Sequence, residues 1–256
     1  MEITFLGAHN LESADTKLVS LLIDGVLALD AGAVTTTLSF EQQKLIKSFL
    51  ITHHHFDHIR DLATYGLANL DWSTKNVYSI KPVLDVISGC FLNGTLYPDM
   101  TQIPSPDSPS LKMHAVEEYK PAYVDGYRVL AVPVKHGIPT VGYEVTDGDG
   151  KSVFYSADTT TGIEECWQYI SPDLMVVETT QPDRMRDFAI EVKHLCPSLL
   201  AEALTEFRKI KGYIPTTVVV HMNPQYEAEI GRQLSGVSEE LGADILLGYE
   251  GMRIVI

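Results

Sequence analysis

The chain has 256 residues, 45% of them apolar and 21% charged, enough to bury a large core as one domain over residues 1–256. Its formal net charge of −15 excludes a broad phosphate-neutralising face, so no large nucleic-acid surface is expected. No apolar run approaches the roughly 18 residues of a membrane span, and MEITFLGAHN lacks the basic start of a secretion signal, so a cytoplasmic location is expected.

In chain order, EITFLG (Glu2–Gly7), LVSLLI (Leu18–Ile23) and VLALDAG (Val26–Gly32) read as strands, with Asp24-Gly25 as the tight turn between the last two. Ser39–Phe49 reads as a helix with Ser39 as N-cap. Phe49–Ile51 is a short buried strand that runs straight into LITHHHFDHIRDL (Leu50–Leu62). Ile59–Asn69 looks helical and Val77–Ile80 extended. Between Gly89 and Pro121 the pattern breaks down around IPSPDSPS (Ile103–Ser110), which fits a lid or a tolerated surface insertion. Within that segment Phe91, Leu92 and Tyr97 suit either a lid or ordinary loop packing. Tyr127–Val134, Val141–Val145 and Ser152–Tyr155 read as strands, with Gly148–Gly150 turning between the last two. Leu174–Val177 and Thr217–Val220 are almost wholly apolar and therefore central. Pro197–Lys211 reads as a helix with proline in its first turn. Strands then helices, twice over, predict an α/β architecture of layered sheets covered by helices. Cys90, Cys166 and Cys196 are far apart and form no CxxC pair; each is expected to be a small buried apolar side chain.

Four of the nine histidines fall between residues 53 and 58. In extended backbone alternate residues share a face, so His53 and His55 point one way and His54 the other. A turn at Phe56 lets Asp57 and His58 swing back toward the same space. Two imidazoles for one metal, and a carboxylate with an imidazole for a second, suit zinc, iron or manganese. His136 ends VLAVPVKHG, His221 ends TTVVVHMNP and Asp158 closes VFYSADT, all strand-end positions where sites on α/β folds collect. Of the others, His54 is expected in packing or at the surface, His9 in a loop at the pocket rim and His114 at the surface. Thr140 suits either substrate or a plain turn hydrogen bond.

HHHFDH is similar to the H-x-H-x-D-H signature of the metallo-β-lactamase superfamily, and LLIDGVLALDAG resembles that family's early strands. The resemblance implies an αββα metallo-β-lactamase sandwich with its site at one sheet edge. It implies one metal held by His53, His55 and His136, a second by Asp57, His58 and His221, and Asp158 bridging them. Asp30 would orient a ligand histidine from behind. KHGIPTVGYEV resembles the H-x-x-x-S/T-x-G-Y run of ribonuclease Z and the class II cyclic-nucleotide phosphodiesterases, and VVETTQPD resembles their strand-end glutamate segment. KHLCPSLLAEAL resembles the H-L-T-P version of their helix start, with Cys196 in place of threonine. Asp57, His194 and Glu178 are the catalytic residues so implied, His194 as general acid and Glu178 as the partner that keeps it charged.

The function this implies is a dinuclear metal-dependent hydrolase, a phosphodiesterase for a small anionic substrate such as a cyclic nucleotide. Two divalent ions, zinc by preference and manganese or iron otherwise, would supply hydroxide at neutral pH. A carbon-ester, lactone or thioester hydrolase and a ribonuclease Z-like nuclease are the alternatives, although no basic Gly/Pro-rich arm for tRNA is found. An iron oxygen enzyme and a non-catalytic descendant are further alternatives. A homodimer is an open possibility.

Overall fold

A computed structural model describes all 256 residues. Two seven-stranded sheets face each other. The first begins with β1 (Glu2–Gly7), β2 (Ser20–Ile23), β3 (Leu27–Leu29), β4 (Ser48–Leu50) and β5 (Lys75–Ser79). A small hairpin, β6 (Pro104–Ser105) and β7 (Ser108–Pro109), precedes β8 (Leu111–Ala115), which closes one edge of that sheet. The second sheet holds β9 (Pro121–Val124), β10 (Tyr127–Pro133), β11 (Val141–Thr146), β12 (Ser152–Tyr155), β13 (Leu174–Glu178), β14 (Thr216–Val220) and β15 (Ile245–Leu247). The chain then returns to the first sheet as β16 (Arg253–Val255), beside β1.

In both sheets antiparallel pairing gives way to parallel pairing, from β3 to β8 in the first and from β12 to β15 in the second. In β13 Leu174 and Val176 join the core between the sheets, while Met175 and Val177 join a second core under the helices. Both faces are dry, which is why the run is apolar throughout. The helices are α1 (Val34–Thr37), α2 (Phe40–Leu45), α3 (Phe56–Ala68), α4 (Lys81–Val86), α5 (Arg186–Glu191), α6 (Pro197–Lys211) and α7 (Glu227–Leu241). Val34, Leu62 and Tyr65 pack α1 and α3 into the first core, and α6 and α7 cover the second sheet. This is the αββα sandwich.

Several boundaries differ from those read in the sequence. Ser39 does cap α2, its Oγ accepting from Gln42 N at 3.3 Å and its own N–H donating to Gln42 Oε1 at 3.0 Å. The helix stops at Leu45 rather than Phe49 because Ser48–Leu50 is drawn into parallel pairing with β3 and β5. Helix α3 starts at Phe56, three residues early, with His55 as its N-cap residue. The 89–121 segment is less irregular than expected, since it contains the hairpin and β8. Helix α7 had gone unread; its buried Ile230, Leu234, Val237 and Leu241 follow helical spacing, but Gly231 and Gly236 obscure the pattern. Cys166 and Cys196 are buried as expected, whereas Cys90 is exposed. No helix is long and apolar enough to cross a membrane.

Candidate metal centre

Strands β4, β10, β12, β13 and β14 end at one edge of the sandwich, and the segments leaving them carry the residues in question. His53 Nε2 lies 3.2 Å from His55 Nδ1, and His136 Nε2 lies 3.1 Å from that same atom. Asp158 faces this group with Oδ2, 3.7 Å from His53 Nε2 and 3.9 Å from His136 Nε2. Its other oxygen faces a second group, Oδ1 lying 3.3 Å from His58 Nε2 and 3.4 Å from His221 Nε2. Asp57 Oδ2 completes that group, 3.4 Å from His58 Nε2 and 3.3 Å from His221 Nε2. His54 belongs to neither. A cavity of about 640 Å³ lies elsewhere, between β8 and the β6–β7 hairpin, so concavity alone does not mark the centre.

The hydrogen bonds behind the rings determine which nitrogens face inward. The Thr52 hydroxyl donates to Asp30 Oδ2 at 2.9 Å, so its oxygen accepts from His53 Nδ1 at 2.9 Å. Asp30 Oδ2 also accepts from His58 Nδ1 at 2.7 Å. The Lys193 carbonyl accepts from His136 Nδ1 at 3.1 Å. The Thr180 hydroxyl donates to Glu178 Oε2 at 2.8 Å and accepts from His221 Nδ1 at 2.9 Å. In these four rings Nδ1 carries a proton and Nε2 faces inward, where the neutral ring offers a lone pair. Lone pairs converging on one another and on carboxylate oxygens repel unless a cation lies between them. His58 Nε2 and Asp158 Oδ1 are buried with no hydrogen-bond partner, as expected of metal donors. The donor set fits divalent metal ions.

Electrostatically the groups differ. Burial, reinforced by neighbouring imidazoles, pushes His53 well below the usual histidine range, and His55 and His136 are lowered in the same direction. Burial also opposes charge on His58, but Asp158, Asp57 and Asp30 together raise its pKa well above the usual range. Burial acts to raise the Asp57 carboxyl, yet His58 and His221 hold it far below the ordinary carboxylate range.

Beside both groups stands a pair that only the family resemblance had joined. Glu178 is fully buried, and its Oε1 accepts from His194 Nδ1 at 2.9 Å. Backbone N–H groups of Thr159 and Leu195 donate to that same oxygen, each at 3.2 Å. Burial disfavours the imidazolium of His194, but Glu178 outweighs it and raises the pKa to about 9. Thr180 was missed in the sequence. The available signal was its position two residues after Glu178, where extended backbone puts both on one face. It ties Glu178 to His221.

Strain gathers here as well. Asp30, Ala157, Lys193 and His221 have positive φ, a conformation that costs a non-glycine residue roughly 1–2 kcal/mol. The Cys196 side chain gives α6 no cap, and Asp183 Oδ1 accepts from Ser198 N at 2.8 Å instead. The Thr140 hydroxyl donates to the Ile138 carbonyl at 2.9 Å, an internal turn bond. His9 is buried, with Nδ1 at 2.7 Å from Glu250 Oε1. His114 is half-buried rather than superficial, stacked on Tyr78 with Nε2 at 2.8 Å from Asn76 Oδ1. Phe91 and Leu92 are buried and Tyr97 packs on the core, the loop-packing option.

The family described as the beta-lactamase superfamily domain matches residues 21–222. The chain belongs to the metallo-β-lactamase superfamily. Its fold resembles that of unliganded yeast PDE1 with a TM-score of 0.85 and 18% identity, covering 100% of this chain and 99% of that one. The metallo-beta-lactamase fold protein YhfI from Bacillus subtilis matches with a TM-score of 0.76 at 16% identity, covering 99% and 98%. The short form of human tRNase Z matches with a TM-score of 0.68 at 20% identity, covering 100% and 99%. With all three structures the likeness is one of fold. No curated protein matches the sequence significantly. Members of this superfamily are mostly metal-dependent hydrolases, and the His/Asp groups of this chain suit that chemistry.

Proposed function

We propose that the protein is a dinuclear metal-dependent phosphodiesterase acting on a small phosphodiester, with a cyclic nucleotide as the sharpest candidate. One observation carries the reading: the Glu178–His194 pair stands beside both ligand groups, the His194 ring centre being 5.3 Å from those of His136 and His221. His53, His55, His136 and Asp158 would hold one divalent ion, and Asp57, His58, His221 and Asp158 the other. Zinc suits these donors, and manganese or iron is also accommodated. When bound, such ions supply Lewis acidity and acidify water toward neutral pH.

The chain's own residues do the rest. Asp57 and Asp158 bring only two negative charges to two dications, so positive potential remains for an anionic phosphodiester within an acidic protein. The Glu178 carboxylate holds Nδ1 of His194 and keeps the ring charged, leaving Nε2 to donate a proton to an alkoxide leaving group. A carbon ester, lactone or thioester needs less help with its leaving group, so the pair has less purpose in those reactions. The likeness of KHGIPTVGYEV, VVETTQPD and KHLCPS to class II cyclic-nucleotide phosphodiesterases supports the same reading. The net charge of −15 weighs against a tRNA-sized substrate.

The test is metal analysis joined to an activity screen with bis-p-nitrophenyl phosphate, cyclic nucleotides, lactones and thioesters. His194→Ala is expected to lower phosphodiester turnover about 10²- to 10⁴-fold and to leave carbon-ester turnover nearly intact. Absence of phosphodiester cleavage with zinc, manganese and iron overturns the reading.

A further inference from the structure

Helix α5 ends in a tight C-terminal turn that presents His194. Lys193 N donates to the Ile190 carbonyl at 3.2 Å, and His194 N donates to the Ala189 carbonyl at 2.8 Å, the two bonds of a Schellman cap. Lys193 occupies the left-handed position of that cap with φ +65°, where glycine carries no steric penalty. That conformation directs the Lys193 carbonyl to His136 Nδ1, and glycine would direct it equally well. The backbone therefore explains the turn but not the lysine. The side chain is exposed and makes no ion pair or hydrogen bond. The other cations of the segments carrying His136 and His194 are engaged: Lys135 with Glu165 at 2.7 Å, Arg184 with Glu229 at 3.2 Å and Arg186 with Glu202 at 3.0 Å. Lys193, next in sequence to His194 and with its carbonyl on His136, is the one unpaired cation of these segments, in a chain whose overall field repels anions.

We propose that Lys193 determines specificity for anionic substrates: its ammonium binds an anionic phosphoryl oxygen of the incoming diester beside His194. The inference rests on the phosphodiesterase reading and names the residue that selects a charged substrate over a neutral one. An exposed ammonium contributes modestly and is screened by salt, so its effect belongs in KM and in ionic-strength dependence.

The experiment compares zinc-loaded wild type, Lys193→Gly and Lys193→Arg. Lys193→Gly preserves the turn and removes the charge. It is expected to raise KM for bis-p-nitrophenyl phosphate about threefold to tenfold, to leave kcat within about twofold, and to flatten the salt dependence of kcat/KM. KM for neutral p-nitrophenyl acetate stays unchanged. The Kd of inorganic phosphate, measured by titration calorimetry, rises by the same factor as the diester KM. Relief of the left-handed penalty is expected to raise the melting temperature by about 2–4 °C, and Lys193→Arg keeps the wild-type KM and phosphate affinity. Unchanged diester KM and phosphate affinity in Lys193→Gly, with wild type active on the diester, overturn this inference alone. So does an equal loss on the neutral ester, or a fall in kcat, since either would mean that the side chain acts on the catalytic geometry and not on the anion. A wild type inactive on every diester overturns the functional reading instead, and the phosphate calorimetry then still decides whether Lys193 binds the anion.

Discussion

The His53–His55–His136 group and the Asp57–His58–His221 group share Asp158 and differ in almost everything around it. The first is a nest of imidazoles whose pKa values burial depresses, so their lone pairs are open to a metal at neutral pH. In the second, His58 sits among three carboxylates that favour its protonated form. A cation entering there must displace a proton, whereas one entering the first group meets little competition. The backing differs too. Asp30 braces both groups, through Thr52 to His53 and directly to His58. Only the second is linked through Thr180 to the carboxylate that also holds His194. His194 and the Asp57–His58–His221 group are therefore tied through one carboxylate, a link the first group lacks.

The comparison breaks most completely at the atom pair the groups share. Asp158→Asn removes the charge that faces both, and turnover is expected to fall about 10⁴-fold or more by analogy with loss of an essential catalytic unit. Metal stoichiometry should fall with it, as read by elemental analysis. A variant that still binds two ions would show that the halves do not depend on a common bridge.

Thr180→Val sharpens the contrast, because it keeps the shape and deletes the hydroxyl between His221 and Glu178. Affinity at the second position is expected to fall about 10- to 100-fold, with the first unaffected. Stepwise cobalt titration followed by visible absorption distinguishes the two sites; equal weakening of both would count against the coupling.

The mildest test is acid. His58 has a raised proton affinity and His53, His55 and His136 have lowered ones, so falling pH should protonate His58 first. The second position is expected to empty at a higher pH than the first, measured as metal retained after dialysis at stepped pH. Release in the opposite order would invert the electrostatic comparison.

The strand-end positions of His136, Asp158 and His221 were legible because each follows a run of apolar residues, and the alternation at His53–His55 was legible because extended backbone has a period of two. Helix α2 was overextended because local propensity cannot report that the next residues will be captured by two flanking strands. Strand β8 was lost among prolines and serines; its pairing with β5 gives Leu111–Ala115 an extended form that LKMHA by itself does not declare.

Taken alone, the sequence determined which residues could bind metal, the superfamily and the order of most strands. These are local properties, written in spacing and hydrophobic period. The tertiary structure decided how the residues meet: that the two oxygens of Asp158 face different groups, that Thr180 joins His221 to Glu178, that Asp183 replaces the missing cap at Cys196, and that a helix end turns the Lys193 carbonyl toward His136. Each of these contacts joins residues on different loops, brought together only when the parallel strands of both sheets end at one edge. Sequence spacing carries no record of that convergence, because it depends on strand order and on the packing of one sheet against the other.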